Sequence, residues 1–172
     1  LMHGEVPWFF WLFPIAFAIH NLEEGLWLPA WSRSAGRFHR PVGAFEFRFA
    51  LVVLTSASAA ITALLYPLGK QSIPSYLFFA FNLGMLVNVF FPPLAATIAL
   101  EKYCPGLLTG VLFLLPTTTL ILWYGYHQGY FLFPVFWYIT IPFVGLVIGS
   151  IPMLFKVGRF IKDAVDNSKA GH

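Results

Sequence analysis

The residues best suited to chemistry in this sequence are His20, Glu23 and Glu24, which lie inside a strongly apolar and aromatic stretch. That stretch runs from about Pro7 to Trp31, and about 20 apolar residues are enough for a helix to cross a bilayer. Ionisable side chains at that depth are costly and require partners. We therefore treat the three residues as a candidate functional site.

Helical geometry places these side chains on adjoining surfaces. His20 and Glu23 are three residues apart and His20 and Glu24 are four apart, so both pairs are neighbours on a helix. Glu23 and Glu24 lie about 100° apart around the axis. We predict that one carboxylate faces a central cavity and the other faces a neighbouring helix.

Acid–base catalysis is one interpretation of the cluster. Two adjacent carboxylates at low dielectric do not easily both ionise, so at least one is expected to hold a proton near neutral pH. A protonated glutamate beside a histidine or an ionised glutamate places an acid next to a base. Such a site could protonate an alkene or move a double bond in a lipid-like or isoprenoid substrate that enters between helices.

Metal binding is a second interpretation, in which His20, Glu23 and Glu24 hold a single divalent ion. Helix bundles use His and Glu at similar spacings as metal ligands. Asn88, water or backbone oxygens would have to complete the ligand set, which suits a hard ion. The remaining histidines fall in loops or tails: His3, His39, His127 and His172.

A purely structural role is the third interpretation. The glutamates would pair with Arg48, the only basic residue within an apolar segment, or with another basic residue on the inner side, and His20 would contact Asn88. A small accessory subunit of this kind would pack its aromatic exterior against larger membrane partners, including pigment-binding ones. The sequence leaves an enzyme and an accessory subunit both open. Our preferred prediction is an acid–base or metal-assisted enzyme whose catalytic residues are His20, Glu23, Glu24 and Asn88.

Five apolar segments must position these residues, and they predict an all-α, polytopic membrane helix bundle of about five transmembrane helices. The segments lack the alternation of strands, and backbone within lipid must satisfy its own hydrogen bonds. The chain is 59% hydrophobic and 10% charged, whereas soluble domains are roughly 25% charged. The segments cover residues 7–31, 44–68, 76–100, 107–124 and 131–155.

Basic residues favour alternate connections between these segments, which sets the predicted orientation. The positive-inside rule places the N-terminus outside and the C-terminus in the cytoplasm, with the protein in the bacterial cytoplasmic (inner) membrane. We expect a single five-helix domain over residues 1–156 and a short basic cytoplasmic tail over residues 157–172. The basic residues on the predicted inner side are Arg33, Arg37, Arg40, Lys102, Lys156, Arg159, Lys162 and Lys169.

Composition also excludes other classes of protein. The net charge of +3 is modest and no basic stripe is present, so nucleic-acid binding is not expected. The single cysteine, Cys104, excludes an internal disulfide and is given no chemical role. No cleavable signal pattern stands out, so the first apolar segment is expected to be a span of the mature protein. The expected partners are membrane lipids, a hydrophobic small molecule and proteins of a membrane complex.

Polar residues from several segments are predicted to share one level in the membrane. At about 1.5 Å per residue, His20 lies about 20 Å from Pro7 and Asn88 about 18 Å from Tyr76 in the antiparallel third segment. Tyrosines and tryptophans near segment ends, including Tyr103, predict an interfacial belt. The same middle layer is expected to contain Thr117, Thr118, Thr119, Tyr138 and Thr140.

Two stretches resemble the HXXEE-domain family of uncharacterised integral membrane proteins. The first is LFPIAFAIHNLEEGLWLPAW, residues 12–31, and the second is EKYCPGLLTGVLFLLP, residues 101–116, which is similar to a Tyr-x-Pro-Gly turn and the following apolar span. The resemblance implies that His20, Glu23 and Glu24 are the signature positions, and it carries no activity with it. Family members tend to have a histidine in the helix before that turn, where this chain has Asn88.

Overall fold

The computed structural model describes residues 6–36 and 41–170, and every regular element within those ranges is helical. A short 3-10 turn, Trp8–Trp11, leads into the first helix. This architecture confirms the predicted all-α fold. The five helices are α1 (Leu12–Trp31), α2 (Ala44–Leu68), α3 (Ile73–Leu100), α4 (Leu107–His127) and α5 (Phe133–Ala170).

Four of these helices, α2 to α5, are long and apolar enough to cross a membrane. The α1 helix is not one of these four because its polar cluster lowers its hydropathy, although its 20 residues match the thickness of a bilayer. The orientation of the bundle stays a prediction. The residues Arg37 and Arg40, on which it partly depends, lie outside the described residues, as do His3, His39 and His172.

The bundle is organised around α2 and α3. The α1 helix packs against α2 and α4, while α5 packs across α2 and α3. Phenylalanine and tyrosine rings from α1, α3 and the α4–α5 connection form the core at one end. Close packing there needs Gly125, since a Cβ atom at that position would lie 2.1 Å from Cε1 of the buried Phe79. The largest buried rings of this core are Phe10, Phe13, Phe78, Phe79 and Tyr130.

Two helices are irregular close to the candidate site. The α3 helix is interrupted at Phe90–Leu94, where Phe91 leaves helical geometry with φ −141° and ψ 120°. Pro92 and Pro93 follow directly, and proline disfavours helical geometry in the preceding residue. The α4 helix begins with one turn and then a wide π-type turn at Gly110–Leu114. These breaks place the end of α3 and the start of α4 beside the middle of α1.

The last helix continues further than the apolar pattern indicates. The predicted span ends near residue 155, but α5 runs on to Ala170, through most of the predicted tail. The extension packs against the start of α2, because a Cβ atom at Gly158 would lie 3.0 Å from the Cα atom of Glu46. Arg159 adds an ion pair, with its Nε atom 3.8 Å from Glu46 Oε1.

Candidate functional site

The Glu23 carboxylate binds the start of α4 from the side. The Tyr103 hydroxyl and the Gly106 N–H both donate to Oε1, the latter at 2.9 Å. The other oxygen, Oε2, accepts from the Thr109 N–H at 2.9 Å and from the Thr109 hydroxyl at 2.5 Å. Glu23 therefore supplies the acceptors that the first N–H groups of α4 lack, and its negative charge suits the positive end of the helix dipole.

The turn before α4 fits closely over α1. Gly106 has φ +94°, a conformation that favours glycine. A Cβ atom there would lie 2.8 Å from Glu24 Oε1 and 2.9 Å from His20 Cε1. Glycine is thus required both by the turn and by the approach of the motif.

Tyr103 also belongs to this turn. Its position at a segment end predicts a residue of the interfacial belt, but its hydroxyl also binds Glu23. Partial burial and the adjacent Glu23 carboxylate raise the pKa of Tyr103 to about 12, so its hydroxyl keeps its proton at physiological pH. Burial likewise raises the pKa of the neighbouring Cys104 thiol to about 12.

Hydrogen bonds assign a tautomer to the buried His20 ring. The Thr109 hydroxyl has one hydrogen, which it donates to Glu23, so it can only accept at its 3.3 Å contact with His20 Nδ1. Nδ1 therefore carries a proton. The second nitrogen, Nε2, lies 3.4 Å from Asn88 Nδ2 and 3.4 Å from Glu24 Oε1. A chain of contacts thus leads from Glu23 through Thr109 and His20 to Glu24.

Glu24 accepts none of these hydrogen bonds from the α4 turn, although its Oε1 atom lies close to Gly106, and it lines an apolar cavity of about 270 Å³. The cavity lies between α1, α2, α3 and α5, and Asn88 lines it beside Glu24. The two motif carboxylates thus have different surroundings, one at a helix terminus and one at a cavity. Six phenylalanines supply most of the aromatic wall: Phe17, Phe47, Phe81, Phe91, Phe143 and Phe155.

Arg48 does not pair with the motif glutamates in the described structure, which corrects the structural interpretation of the sequence. Its Nε atom donates to the Gly25 carbonyl oxygen at 2.8 Å. That carbonyl lacks its helical donor because the residue four positions later is Pro29. Arg48 therefore replaces a missing backbone hydrogen bond in α1.

Within residues 6–36 and 41–170, no three His, Cys, Asp or Glu side chains are arranged to hold a metal ion. Glu23 directs both carboxylate oxygens towards the α4 turn, whereas Glu24 lines the cavity. The set of His20, Glu23 and Glu24 stays a prediction as a metal site.

Only some of the polar residues predicted to share one level in the membrane contact the candidate site. Asn88 reaches His20, but Thr118 donates to the Leu114 carbonyl of its own helix at 2.6 Å and Tyr138 is 82% exposed. Sequence reasoning assigned no role to Thr109, which contacts both Glu23 and His20. The sequence feature that could have identified Thr109 is its position in the first helical turn after Pro-Gly, because the N–H groups of that turn need acceptors.

Comparison with known proteins places this site in a family. A family model described as "Protein of unknown function with HXXEE motif" matches residues 11–121. The chain belongs to the HXXEE family. The uncharacterized protein YrkK of Bacillus subtilis (strain 168) is 35% identical over 147 residues, covering 85% of this chain and 92% of that protein. No solved structure matches the chain.

The residues matched by the HXXEE family model include all those that form the series of contacts from Glu23 to Glu24. The matched range includes α1, α2, α3 and the first part of α4, with the glycine turn and Thr109. Only the α5 wall of the cavity lies beyond it. The motif of this HXXEE protein therefore joins α1 to the α3–α4 connection through Glu23 and presents Glu24 to the cavity.

Replacing Tyr103 with phenylalanine is expected to destabilise the protein by about 1–2 kcal/mol, because its hydroxyl no longer donates to Glu23 or accepts from the exposed Leu108 N–H, while three donors stay on Glu23. Thermal unfolding of the detergent-solubilised protein measures the change. Tyr138→Phe is the matched control, since that tyrosine is exposed. Equal midpoints for the two variants would contradict a role for the Tyr103 hydroxyl.

Proposed function

We propose that this protein is an acid–base enzyme of the membrane that moves a double bond in an isoprenoid or similarly branched lipid-like substrate. The observation that carries the proposal is the position of Glu24, which lines an apolar cavity with the His20 ring directly beside its carboxylate. Glu24 is the proton donor and acceptor in this proposal. His20 and Asn88 position its carboxyl group.

The cavity suits a substrate that arrives from the bilayer. Its lining includes Phe17 and Phe81, which are 3% and 2% exposed. It also includes Val87 of α3 and Ile148 of α5, which are 57% and 62% exposed. A volume of about 270 Å³ is slightly below the roughly 300–1,000 Å³ found for ligand sites, which suits a slender molecule. A slender hydrophobic molecule could therefore enter sideways between α3 and α5.

The proposed reaction balances without any other reagent. Protonated Glu24 donates its proton to one carbon of the alkene, which leaves a carbocation and a glutamate carboxylate. The carboxylate then removes a proton from the carbon on the other side of the cationic centre, and the double bond forms there. A branched alkene is favoured because its cation is tertiary, and the phenylalanine rings of the wall attract positive charge.

His20 and Asn88 act through Glu24 and not on the substrate. His20 has its Nδ1 atom fixed by Thr109, so Nε2 is directed at Glu24 Oε1. Asn88 contacts the same ring nitrogen at 3.4 Å. Glu23 lies further back, where its hydrogen bonds hold the Thr109 hydroxyl. These contacts hold the acid in the geometry that general acid–base catalysis requires.

The test is solvent isotope incorporation. Purified protein in vesicles made from a total bacterial lipid extract is incubated in D₂O, and the extract is compared by mass spectrometry with extract incubated without protein. We expect deuterium in an unsaturated branched lipid together with a positional isomer of that lipid. An extract with neither change would overturn the proposal.

A cavity-filling variant supports the assignment of the site. Gly84 lines the cavity, and a Cβ atom there would make an ordinary 3.5 Å contact with Val144. Gly84→Leu is therefore expected to keep the fold and to abolish incorporation, because the added atoms occupy the substrate space. Gly145→Leu is the control, since its Cβ atom would meet nothing within 4 Å. Full incorporation by Gly84→Leu would place the substrate elsewhere.

An accessory subunit is the second candidate. Large aromatic side chains on the outer surface favour it, since Trp8, Trp123 and Phe160 are all more than half exposed. Such a subunit would associate with a larger membrane protein and would incorporate no deuterium. Variants of Glu24 separate the two candidates, because only the enzyme loses a chemical step while keeping its assembly.

A further inference from the structure

A second site on the molecule is a groove between α1 and α2, which shares the lining residues Asn21 and Leu51 with the Glu24 cavity but does not include Glu24. It has a volume of about 510 Å³ and is lined by Arg48 together with side chains of both helices. Its walls are mainly apolar, and no aspartate or glutamate is among its lining residues. The groove therefore combines one positive charge with an apolar surface. The apolar residues that matter here are Ala18, Leu22, Leu26, Leu51 and Val52.

The guanidinium of Arg48 is held in place at this groove. Its Nε atom donates to the Gly25 carbonyl oxygen, which Pro29 leaves without its helical partner. The two terminal nitrogens have no hydrogen-bond partner among the described residues. The nearest acidic residue on α2, Glu46, contacts Arg159 instead. Arg48 thus offers an oriented cation, and guanidinium groups bind phosphate through paired hydrogen bonds.

Arg48 lies near one end of α2, a helix that is long and apolar enough to cross a membrane. It lies four residues from Ala44, the first residue of the helix, which corresponds to a depth of about 6 Å. The groove continues from Arg48 to Ser56, which is about 12 Å further along α2. A charged group at Arg48 would therefore have an apolar channel directly below it, on the side of the hydrocarbon core.

We propose that this groove binds an anionic phospholipid of the surrounding membrane, with the lipid phosphate on Arg48 and an acyl chain between α1 and α2. The unpaired terminal nitrogens of Arg48 bind the phosphate. No aspartate or glutamate lines the groove to compete with the phosphate for Arg48. Leu22 and Val52 contact the acyl chain. The proposal does not rest on the reaction proposed at Glu24.

Native mass spectrometry of the delipidated, detergent-solubilised protein tests this site. The probes are dioleoylphosphatidylglycerol, which is anionic, and dioleoylphosphatidylcholine, which has no net charge. We expect one phosphatidylglycerol to be retained in preference to phosphatidylcholine. Arg48→Gln should weaken retention by roughly tenfold or more, since a hydrogen bond to a charged group is lost. Arg33→Gln is the control, because Arg33 is exposed and does not line the groove.

A second variant keeps the test decisive if Arg48→Gln disturbs α1. Val52 is 64% exposed within the groove, so Val52→Trp fills the groove without removing the charge. It should also lose phosphatidylglycerol. Equal retention of both lipids, or unchanged retention by Val52→Trp, would overturn the proposal. Oleate is offered as a third probe, and retention of oleate without phosphatidylglycerol would also overturn the proposal, by identifying a free fatty acid as the ligand.

Discussion

Replacing Glu23 with glutamine is expected to lower the free energy of unfolding by about 3–5 kcal/mol, because two of the four donors on the carboxylate would lose their acceptor. The carboxylate accepts four hydrogen bonds, two on each oxygen. A glutamine side chain keeps one oxygen, and its NH₂ group would face donors at the other position. The start of α4 would then lose contact with α1.

Thermal unfolding in detergent measures this loss, and the midpoint should fall by roughly 10 °C for a chain of this size. Glu24→Gln is the matched control, since it is the neighbouring glutamate of the same helix and accepts none of these hydrogen bonds. Its midpoint should stay close to that of the unchanged protein. If both variants shift equally, the two carboxylates do not have the separate roles described above.

The sequence predicts the difference between the two glutamates but not which one is structural. Adjacent helical positions point about 100° apart, so one cavity-facing and one helix-facing carboxylate follow from geometry alone. Which glutamate binds the neighbouring helix depends on where the turn before α4 packs against α1. That packing is a tertiary contact. Gly106 and Thr109 make that contact, and they are far from the motif along the chain.

Arg48 illustrates how a reasonable electrostatic prediction can be wrong. A lone basic residue within the apolar segments predicts a salt bridge with the nearest glutamates. The observed partner is the Gly25 carbonyl oxygen, freed by Pro29. The proline was visible in the sequence, but its consequence depends on the distance of closest approach between α1 and α2. Gly25 permits that approach, since a Cβ atom there would lie 3.3 Å from Leu51 Cδ1.

Segment ends were predicted well where charges and glycines mark them and poorly where they do not. The α2 helix has the predicted bounds, Ala44–Leu68, because Gly43 and Gly69 flank it. The α5 helix continues through Lys156 and Arg159, because charged residues end an apolar span without ending a helix. Hydropathy therefore gives the membrane-embedded length of a helix but not its full length.

Glu24→Gln is expected to reduce deuterium incorporation by a factor on the order of 10²–10⁴, the usual contribution of a general acid or base. The amide keeps the shape of the side chain and can neither donate an acidic proton nor receive one. Incorporation in D₂O by vesicles containing the variant measures the effect. Substrate should still bind, because the apolar walls of the cavity are unchanged.

The outcome for Glu24→Gln separates the candidate functions because the variant is expected to fold. Lost incorporation with an unchanged unfolding midpoint assigns Glu24 a chemical role, and Glu24→Asp should then restore part of the rate by returning a carboxylate further from the substrate. Loss of partner association would instead identify an accessory subunit. Incorporation at the original rate would mean that the proton comes from another group. His20 is the first to test in that case, since its Nε2 atom lies 3.4 Å from the Glu24 carboxylate.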